Sequence, residues 1–301
     1  MAIGNAAVDE TYALDALPLA GESLVGELRF RDVGGKGANV ATIIARCGVE
    51  ARLVAMIGDD ERAAFVRGRL LAEPLEADLV TRPGSPTDLS LVYATADGDN
   101  AIVTTVATTR ALGLSRAVAA LENATPGDLV VLQGNLPRET TLGIIEAANA
   151  RALPIALNPS PAFAWFREAL PLVDAVFVND GEARTLVGER DEQAVRALLA
   201  TGVRRVVLTR GASGALLGRA EVAAPDAVTA VAAAPGSAID TTGAGDTFMG
   251  VALASAARRG VGLDERALRH AARAAAITIG RHGALAAFPD RAALAALLAS
   301  E

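Results

Sequence analysis

In Val33-Gly34-Gly35-Lys36-Gly37-Ala38-Asn39, and again in Asp240-Thr241-Thr242-Gly243-Ala244-Gly245-Asp246-Thr247-Phe248, small residues lead into a helical pattern. A helix that starts on glycines offers unpaired N–H groups and the positive end of its dipole, and the missing side chains let a ligand come close to the backbone. Such a turn can receive an anion or a hydroxyl, or it can be a plain structural turn. In the second run the N–H groups could converge on a transferring phosphoryl group and stabilise its charge. Asp246 falls in the first turn of that helix. One reading makes it a capping carboxylate worth about 1 kcal/mol. The other, favoured by the Gly-Ala-Gly before it, makes it the base that accepts the proton of a hydroxyl attacking phosphorus. The first run is not a Walker A loop, because the spacing differs and no Ser or Thr follows the lysine.

Lys36 is the one lysine of the chain, against 27 arginines. A bias toward arginine that spares a single position suggests a need for a compact ammonium there, since a guanidinium is bulkier and differently shaped.

These residues must be held by elements, and the pattern around them is repeated βα. Val/Ile/Leu runs at Arg52–Ile57, Leu129–Gln133, Pro154–Asn158, Ala175–Asn179 and Arg205–Thr209 end in Gly, Asn or Pro and read as buried strands. Helical patterns lie between them at Ala38–Cys47, Arg62–Ala72, Arg138–Ala150, Gly181–Val187 and Glu192–Ala200. The alternation implies an α/β fold with a largely parallel sheet and helices on both faces. Three Ala/Leu-rich helices follow, Gly245–Arg259, Asp264–Gly280 and Arg291–Ser300. Two segments break the rhythm. Leu89–Thr95 and Ala101–Thr105 flank the turn signal Asp97-Gly98-Asp99-Asn100 and read as a hairpin, and Thr11–Phe30, with Pro18 and Gly21, is strand-and-turn material. A β-flap over a site is the preferred reading of both, surface loops the alternative. With no repeat or linker, the 301 residues form one unit with a small β-appendage.

Composition removes several classes of function. At 51% hydrophobic and 21% charged the chain buries a full core, and a net charge of −7 argues against gripping nucleic acid or anionic lipid. Small molecules are the expected partners. One cysteine, Cys47, and two histidines, His270 and His282, cannot build a disulfide framework or a zinc site. Cys47 lies in an apolar helical run and reads as core packing; His282, in a Gly-flanked loop, reads as an exposed histidine. No apolar stretch reaches the roughly 20 residues of a spanning helix, and Met1–Tyr12 has neither the basic nor the apolar region of a secretory signal. The expected location is the cytoplasm.

The two glycine runs together, in this order and at this separation, resemble the two signatures of the ribokinase-like, or PfkB, carbohydrate kinases. Further matches lie at Gly4–Asp9, Gly58-Asp59-Asp60, Leu157-Asn158-Pro159-Ser160-Pro161, Asn179-Asp180-Gly181-Glu182, Thr209-Arg210-Gly211-Ala212-Ser213-Gly214 and Arg281-His282-Gly283-Ala284, so the likeness spans the whole chain. It implies a three-layer αβα core with a β-lid from about residues 11–30 and 89–105, and transfer of phosphate from ATP to a primary hydroxyl of a sugar or nucleoside. It implies Asp246 as general base, Gly243, Ala244 and Gly245 as anion hole, and Asp9, Gly35, Lys36, Asn39 and Asn135 around the substrate. Asn179 and Glu182 would order the magnesium shell, and Thr209, Gly211 and Gly214 would flank the nucleotide. Asn and Glu at a helix start are otherwise ordinary caps. Asp240, Thr242, Thr278 and Gly283 match positions that hold a monovalent cation such as K+, although Ala287 lacks the hydroxyl or amide often found there.

Leu157-Asn158-Pro159 and Lys36 resemble the ribokinase branch, with two departures. Ala7 stands where ribokinases carry an asparagine that touches the sugar, and Asn135 replaces their glutamate. Both change the hydrogen-bonding groups at the sugar end, so another furanose, a ketose, a modified sugar or a nucleoside is expected. Two other readings stay open. A non-catalytic sugar or nucleotide sensor would keep the glycine turns without needing Asp246. A nicotinamide dehydrogenase suits the βα alternation but needs Gly-x-Gly-x-x-Gly after the first strand, where Gly4-Asn5-Ala6-Ala7 stands. A homodimer is the assembly to test for.

Overall fold

A computed structural model of the chain describes residues 1–95, 100–223 and 225–300. Most of the turn signal Asp97-Gly98-Asp99-Asn100 lies outside the described residues.

Alternating apolar residues give each central strand two buried faces. In strand β1 (Ala2–Asn5), Ala2 joins one core and Ile3 the other. The pattern repeats where Val131, Ala156 and Val207 face the first core while Leu132, Leu157 and Leu208 face the second. These residues belong to β8 (Val130–Gln133), β9 (Ile155–Asn158) and β11 (Arg205–Thr209). The first core is closed by α1 (Lys36–Arg46), α2 (Glu61–Leu71), α7 (Ala244–Arg259), α8 (Glu265–Ile279) and α9 (Arg291–Ala299), through Val40, Val66, Met249, Leu268 and Leu294. On the other face lie α3 (Leu114–Ala119), α4 (Arg138–Asn149), α5 (Asp180–Val187) and α6 (Asp191–Leu199), contributing Ala117, Ile144, Leu186 and Leu198. Helices on both faces of a mostly parallel sheet make this an αβα sandwich of the α/β class.

Among the described residues the sheet has nine strands, in the order β13-β12-β11-β10-β9-β8-β1-β4-β5. Its other members are β4 (Arg52–Ile57), β5 (Glu76–Thr81), β10 (Ala175–Asn179), β12 (Ala215–Arg219) and β13 (Val228–Val231), with β12 and β13 antiparallel at one edge. From β1 the chain builds outward through β4 and β5, then returns to β1's other side at β8 and builds the opposite way. Winding therefore reverses between β1 and β8, and the carboxyl ends of strands at such a reversal form the crevice where open α/β sheets bind ligands.

A second, four-stranded sheet has the order β3-β2-β6-β7, with β2 at Ala7–Leu14, β3 at Glu27–Gly34, β6 at Leu89–Thr95 and β7 at Asn100–Thr104. Only Ala6 separates β1 from β2, and β3 runs through Gly35 straight into α1. The strands thus start earlier and end later than Thr11–Phe30, and residues 15–26 between them carry no strand.

Cys47 is buried in the first core, and burial pushes its thiol up to about 12, so it is inert packing. His270 is also structural: Ser255 Oγ lies 2.8 Å from Nδ1 and the Ser300 carbonyl 3.0 Å from Nε2. A carbonyl only accepts, so Nε2 carries the proton and Nδ1 accepts from Ser255. Burial, helped by Arg266, Arg259 and Arg273, lowers the pKa of this ring, against the pull of the Ser300 carbonyl. The unfolded chain then binds the extra proton between the lowered value and the ordinary 6.5, so stability falls as pH drops through that window. Urea unfolding at pH 7.5 and 5.5 should show a larger loss for the wild type than for His270→Leu; equal losses would exclude His270 as the source. Among the described residues no helix is long and apolar enough to cross a membrane.

Candidate active site

The glycines of the first signature make room for protein. A Cβ on Gly34 would sit 2.0 Å from the Asp9 carboxyl carbon, one on Gly35 2.7 Å from the Asn5 carbonyl oxygen, and one on Gly37 2.8 Å from the Asn5 nitrogen. Gly35, with φ 94°, is the N-cap of α1, and Gly37 donates its N–H to Asn5 Oδ1 at 3.3 Å. The sequence suggested that these positions are bare so that a ligand can approach; here the close neighbours are strand β1 and the Asp9 side chain. The result is that the N-terminus of α1 is pressed onto the carboxyl end of β1, at the winding reversal, with Asn39 one turn further along.

The second signature meets it there. Gly243 caps α7 at φ 72°, with no side chain capping the helix, and a Cβ on it would strike the Phe288 ring at 2.6 Å. A Cβ on Gly245 would project into open space, with no atom within 4 Å beyond its chain neighbours and its own helix's backbone. With no side chain capping it, the first turn has N–H groups left for another acceptor, although the Ala244 N–H already donates to the Thr241 carbonyl at 3.3 Å. Asp246, buried, accepts a hydrogen bond from Asn39 Nδ2 at 2.8 Å, and Lys36 Nζ stands 3.9 Å from its other oxygen. Asn39 and Asp246 are 207 residues apart in sequence. The Asp246 carboxylate is thus tied to the first signature and does not cap its own helix.

On β2, on α1 and at the carboxyl end of β8 are buried polar atoms without protein partners: Asp9 Oδ1, Asn39 Oδ1, both amide atoms of Gln133 and, two residues beyond it, Asn135 Oδ1. Buried polar atoms in native proteins are normally satisfied, and leaving one bare costs about 1–3 kcal/mol, so a cluster of them marks a place for a polar ligand. Burial pushes the Asp9 carboxyl up to about 7, with the negative Asp246 and Asp32 adding to the shift and Ser90 and Lys36 opposing it. Near neutrality Asp9 can therefore both donate to and accept from hydroxyls. Asn5 and Gln133 were not among the sequence-derived candidates. Their signal was position, since each ends one of the two strands flanking the winding reversal.

Asn179 and Thr209 end the adjacent parallel strands β10 and β11, in register with each other, on the same rim of the sheet. Asn179 Oδ1 accepts the Glu182 N–H at 2.8 Å and Glu182 Oε2 accepts the Asn179 N–H at 2.9 Å, a reciprocal cap on α5. Gly211 (φ 53°) and Gly214 (φ 81°) shape the turn after β11, and a Cβ on Gly214 would lie 2.1 Å from the Val231 carbonyl oxygen.

Asp240, Thr242 and Gly283 come together: Asp240 Oδ1 accepts the Thr242 N–H at 2.9 Å and Oδ2 the Gly283 N–H at 3.0 Å. The Thr278 hydroxyl is turned elsewhere, 3.0 Å from Thr247 Oγ1 and 3.3 Å from the Ala274 carbonyl, buried between α7 and α8. Its side chain is thus spent on helix packing. His282 is exposed and stacks on Phe30, ring centroids 5.2 Å apart.

The model of the pfkB family carbohydrate kinases matches residues 2–291. A ribokinase of Bacillus subtilis (strain 168) is 32% identical over 292 residues, spanning 96% of this chain and 95% of that protein. The crystal structure of a ribokinase from Thermotoga maritima superposes with a TM-score of 0.86 at 25% identity, covering 99% of this chain and 98% of that one. An Arabidopsis thaliana ribokinase, solved with ribose and ATP, gives a TM-score of 0.83 at 24% identity over 100% of this chain and 98% of that one.

Proposed function

Since the chain belongs to the pfkB family of carbohydrate kinases, and so transfers phosphate from ATP to an alcohol group of a sugar or nucleoside, we infer that the cluster around Asp246 is its phosphoryl-transfer centre. The observation that carries this is the junction of the two signatures: Asn39 bonded to Asp246 at 2.8 Å, with Lys36 3.9 Å away.

In the reaction the acceptor oxygen bonds to the γ-phosphorus of ATP, the bond from that phosphorus to the β,γ-bridging oxygen breaks, ADP leaves, and Asp246 takes the hydroxyl proton. Asn39 fixes the carboxylate so that an oxygen faces the acceptor. Lys36 and the first-turn N–H groups of Gly243, Ala244 and Gly245 balance the charge that spreads over the phosphoryl oxygens. Asp9, Asn135 and Gln133, with their unpartnered atoms, hold the acceptor's other hydroxyls. Thr209, Gly211 and Gly214 border the nucleotide. Asn179 and Glu182 would order the shell of a bound Mg2+, which would neutralise charge on the nucleotide's phosphates. K+, if used, would lie beside the anion hole against the backbone around Asp240, Thr242, Thr278 and Gly283. The second sheet serves as lid and excludes water from the transfer. Exposed Leu28 and Phe30 on β3 and Ile102 and Val103 on β7 support a homodimer through that sheet, which light scattering would test.

Substrate choice rests on Ala7 and Asn135. Ala7 is fully buried and opposes Gly34 in the β2–β3 pair, and Asn135 offers a buried, unpartnered oxygen. A site built to bond hydroxyls rejects a mismatched pattern strongly. ADP release measured over pentoses, hexoses, keto-sugars and nucleosides should place D-ribose about tenfold or more below another compound in kcat/KM, or about 1.4 kcal/mol. Ala7→Asn with Asn135→Glu should move preference toward ribose. Ribose standing above every other compound for the wild type would overturn this reading of the sugar end.

A further inference from the structure

Residues 281–287, between α8 and α9, are held from two sides by carboxylates of distant elements. The Gly283 N–H donates to Asp240 Oδ2 at 3.0 Å, and the Ala286 N–H donates to Asp32 Oδ2 at 2.7 Å. Asp240 opens the turn that leads into the anion hole, its other oxygen bonded to Thr242. Asp32 lies on β3, two residues before Gly34 and four before Lys36. Its Oδ1 accepts its neighbour Val33's N–H at 2.8 Å and Arg69 Nη2 at 3.0 Å. One residue before the first of these donors, His282 stacks on Phe30 of the same strand. The loop's far end is fixed to α1, because Arg46 Nη1 bonds the Leu285 and Phe288 carbonyls while its other nitrogens hold Glu73.

A buried carboxylate on β3 is not needed for strand pairing, and it stands opposite Asp9, a second carboxyl. What Asp32 gains in return is its grip on the loop. We propose that Asp32 is a positioning residue that couples the nucleotide end of the site to the lid strand: ordering of the turn 240–246 by ATP is passed through loop 281–287 to β3, and so to Lys36. The coupling rests on the kinase reading above. It is reciprocal, so whatever orders β3 and Lys36 prepares the anion hole to the same degree.

Hydrogen exchange with the non-hydrolysable ATP analogue AMP-PNP and Mg2+ tests this without knowledge of the acceptor. In the wild type, amides in 241–247 and in 27–34 should both slow by about fivefold or more, the low end of ordinary coupling. In Asp32→Ala the slowing in 241–247 should persist and that in 27–34 should vanish. His282→Ala, at an exposed position, should weaken the response of 27–34 at least about twofold with the melting temperature unchanged, and it carries the test if Asp32→Ala fails to fold. A full response of 27–34 in either folded variant, or none in the wild type while 241–247 is protected, overturns the coupling. No protection of 241–247 in the wild type would instead refute the nucleotide assignment, and the coupling with it.

Discussion

Asp246→Asn should lower turnover by about 10²–10⁴-fold, the usual contribution of a general base, while leaving the fold and nucleotide binding nearly unchanged. The amide keeps the shape of the carboxylate, and its oxygen can still accept the Asn39 hydrogen bond. It cannot take up a proton. Loss of the charge beside Lys36 matters less, because an ion pair at 3.9 Å with a partly exposed lysine contributes at most about 1 kcal/mol. ADP release, calorimetric titration with AMP-PNP and thermal melts of the purified variant separate these effects. Retention of more than about a tenth of wild-type turnover would contradict the base role, since it lies outside the usual range for losing such a group. A sensor that merely binds sugar or nucleotide would show no turnover for Asp246 to support.

Gly35→Ala should have the largest effect on stability. At φ 94° and ψ 123° an L-residue is strained by about 1–3 kcal/mol. The new methyl would also lie 2.7 Å from the Asn5 carbonyl oxygen and 2.9 Å from Ala6 Cα, backbone atoms that cannot swing aside. Overpacking of that kind adds about 1–3 kcal/mol, so a loss of about 2–6 kcal/mol is expected in urea unfolding, against a total of about 5–15 for an ordinary domain. Turnover should fall as well, because a shift of about 1 Å between Lys36, Asn39 and Asp246 is enough to cost about 10²-fold. Gly245→Ala is the contrasting variant. Its methyl meets no protein atom, so stability should hold or rise, while KM for ATP rises because the methyl occupies the space before the first-turn N–H groups. Wild-type stability in Gly35→Ala would show that the junction of β1 and α1 can yield. An unchanged KM in Gly245→Ala would remove the phosphates from that turn.

Both variants bear on what could be read from the chain alone. The buried parallel strands were legible: Arg52–Ile57, Ala175–Asn179 and Arg205–Thr209 coincide with β4, β10 and β11, because a strand covered on both faces must be a continuous apolar run. Edge strands lack that constraint. β5, at one edge, reads Glu-Ala-Asp-Leu-Val-Thr and is nowhere fully buried; β13, at the other, buries only Val231; and β12 beside it, though buried over its first four residues, is broken by Gly218 and Arg219, so none stood out. The six-residue α3 is too short to display a period. At the site, the residue types in the two signatures announced phosphate chemistry, but not that Asn39 and Asp246 touch, since nothing local in either run depends on the other. Asp32 was invisible for the same reason: its partners Arg69 and Ala286 lie 37 and 254 residues away.

The single residue between β1 and β2 has a mechanical consequence. Ala6 and Gly35 are where two of the chain's crossings between the sheets occur, and they lie side by side, a Gly35 Cβ falling 2.9 Å from Ala6 Cα. Two adjacent crossings define a short pivot, and β2, at eight residues, is a lever roughly 26 Å long. A rotation of about 10° at the pivot would sweep the far end of that lever through roughly 4–5 Å, given a strand rise of about 3.3 Å per residue. The gearing is steep. Small torsional changes at two residues, one of them the N-cap of the helix that carries Lys36 and Asn39, become displacements the size of a sugar ring at the tip, while the residues nearest the chemistry hardly move.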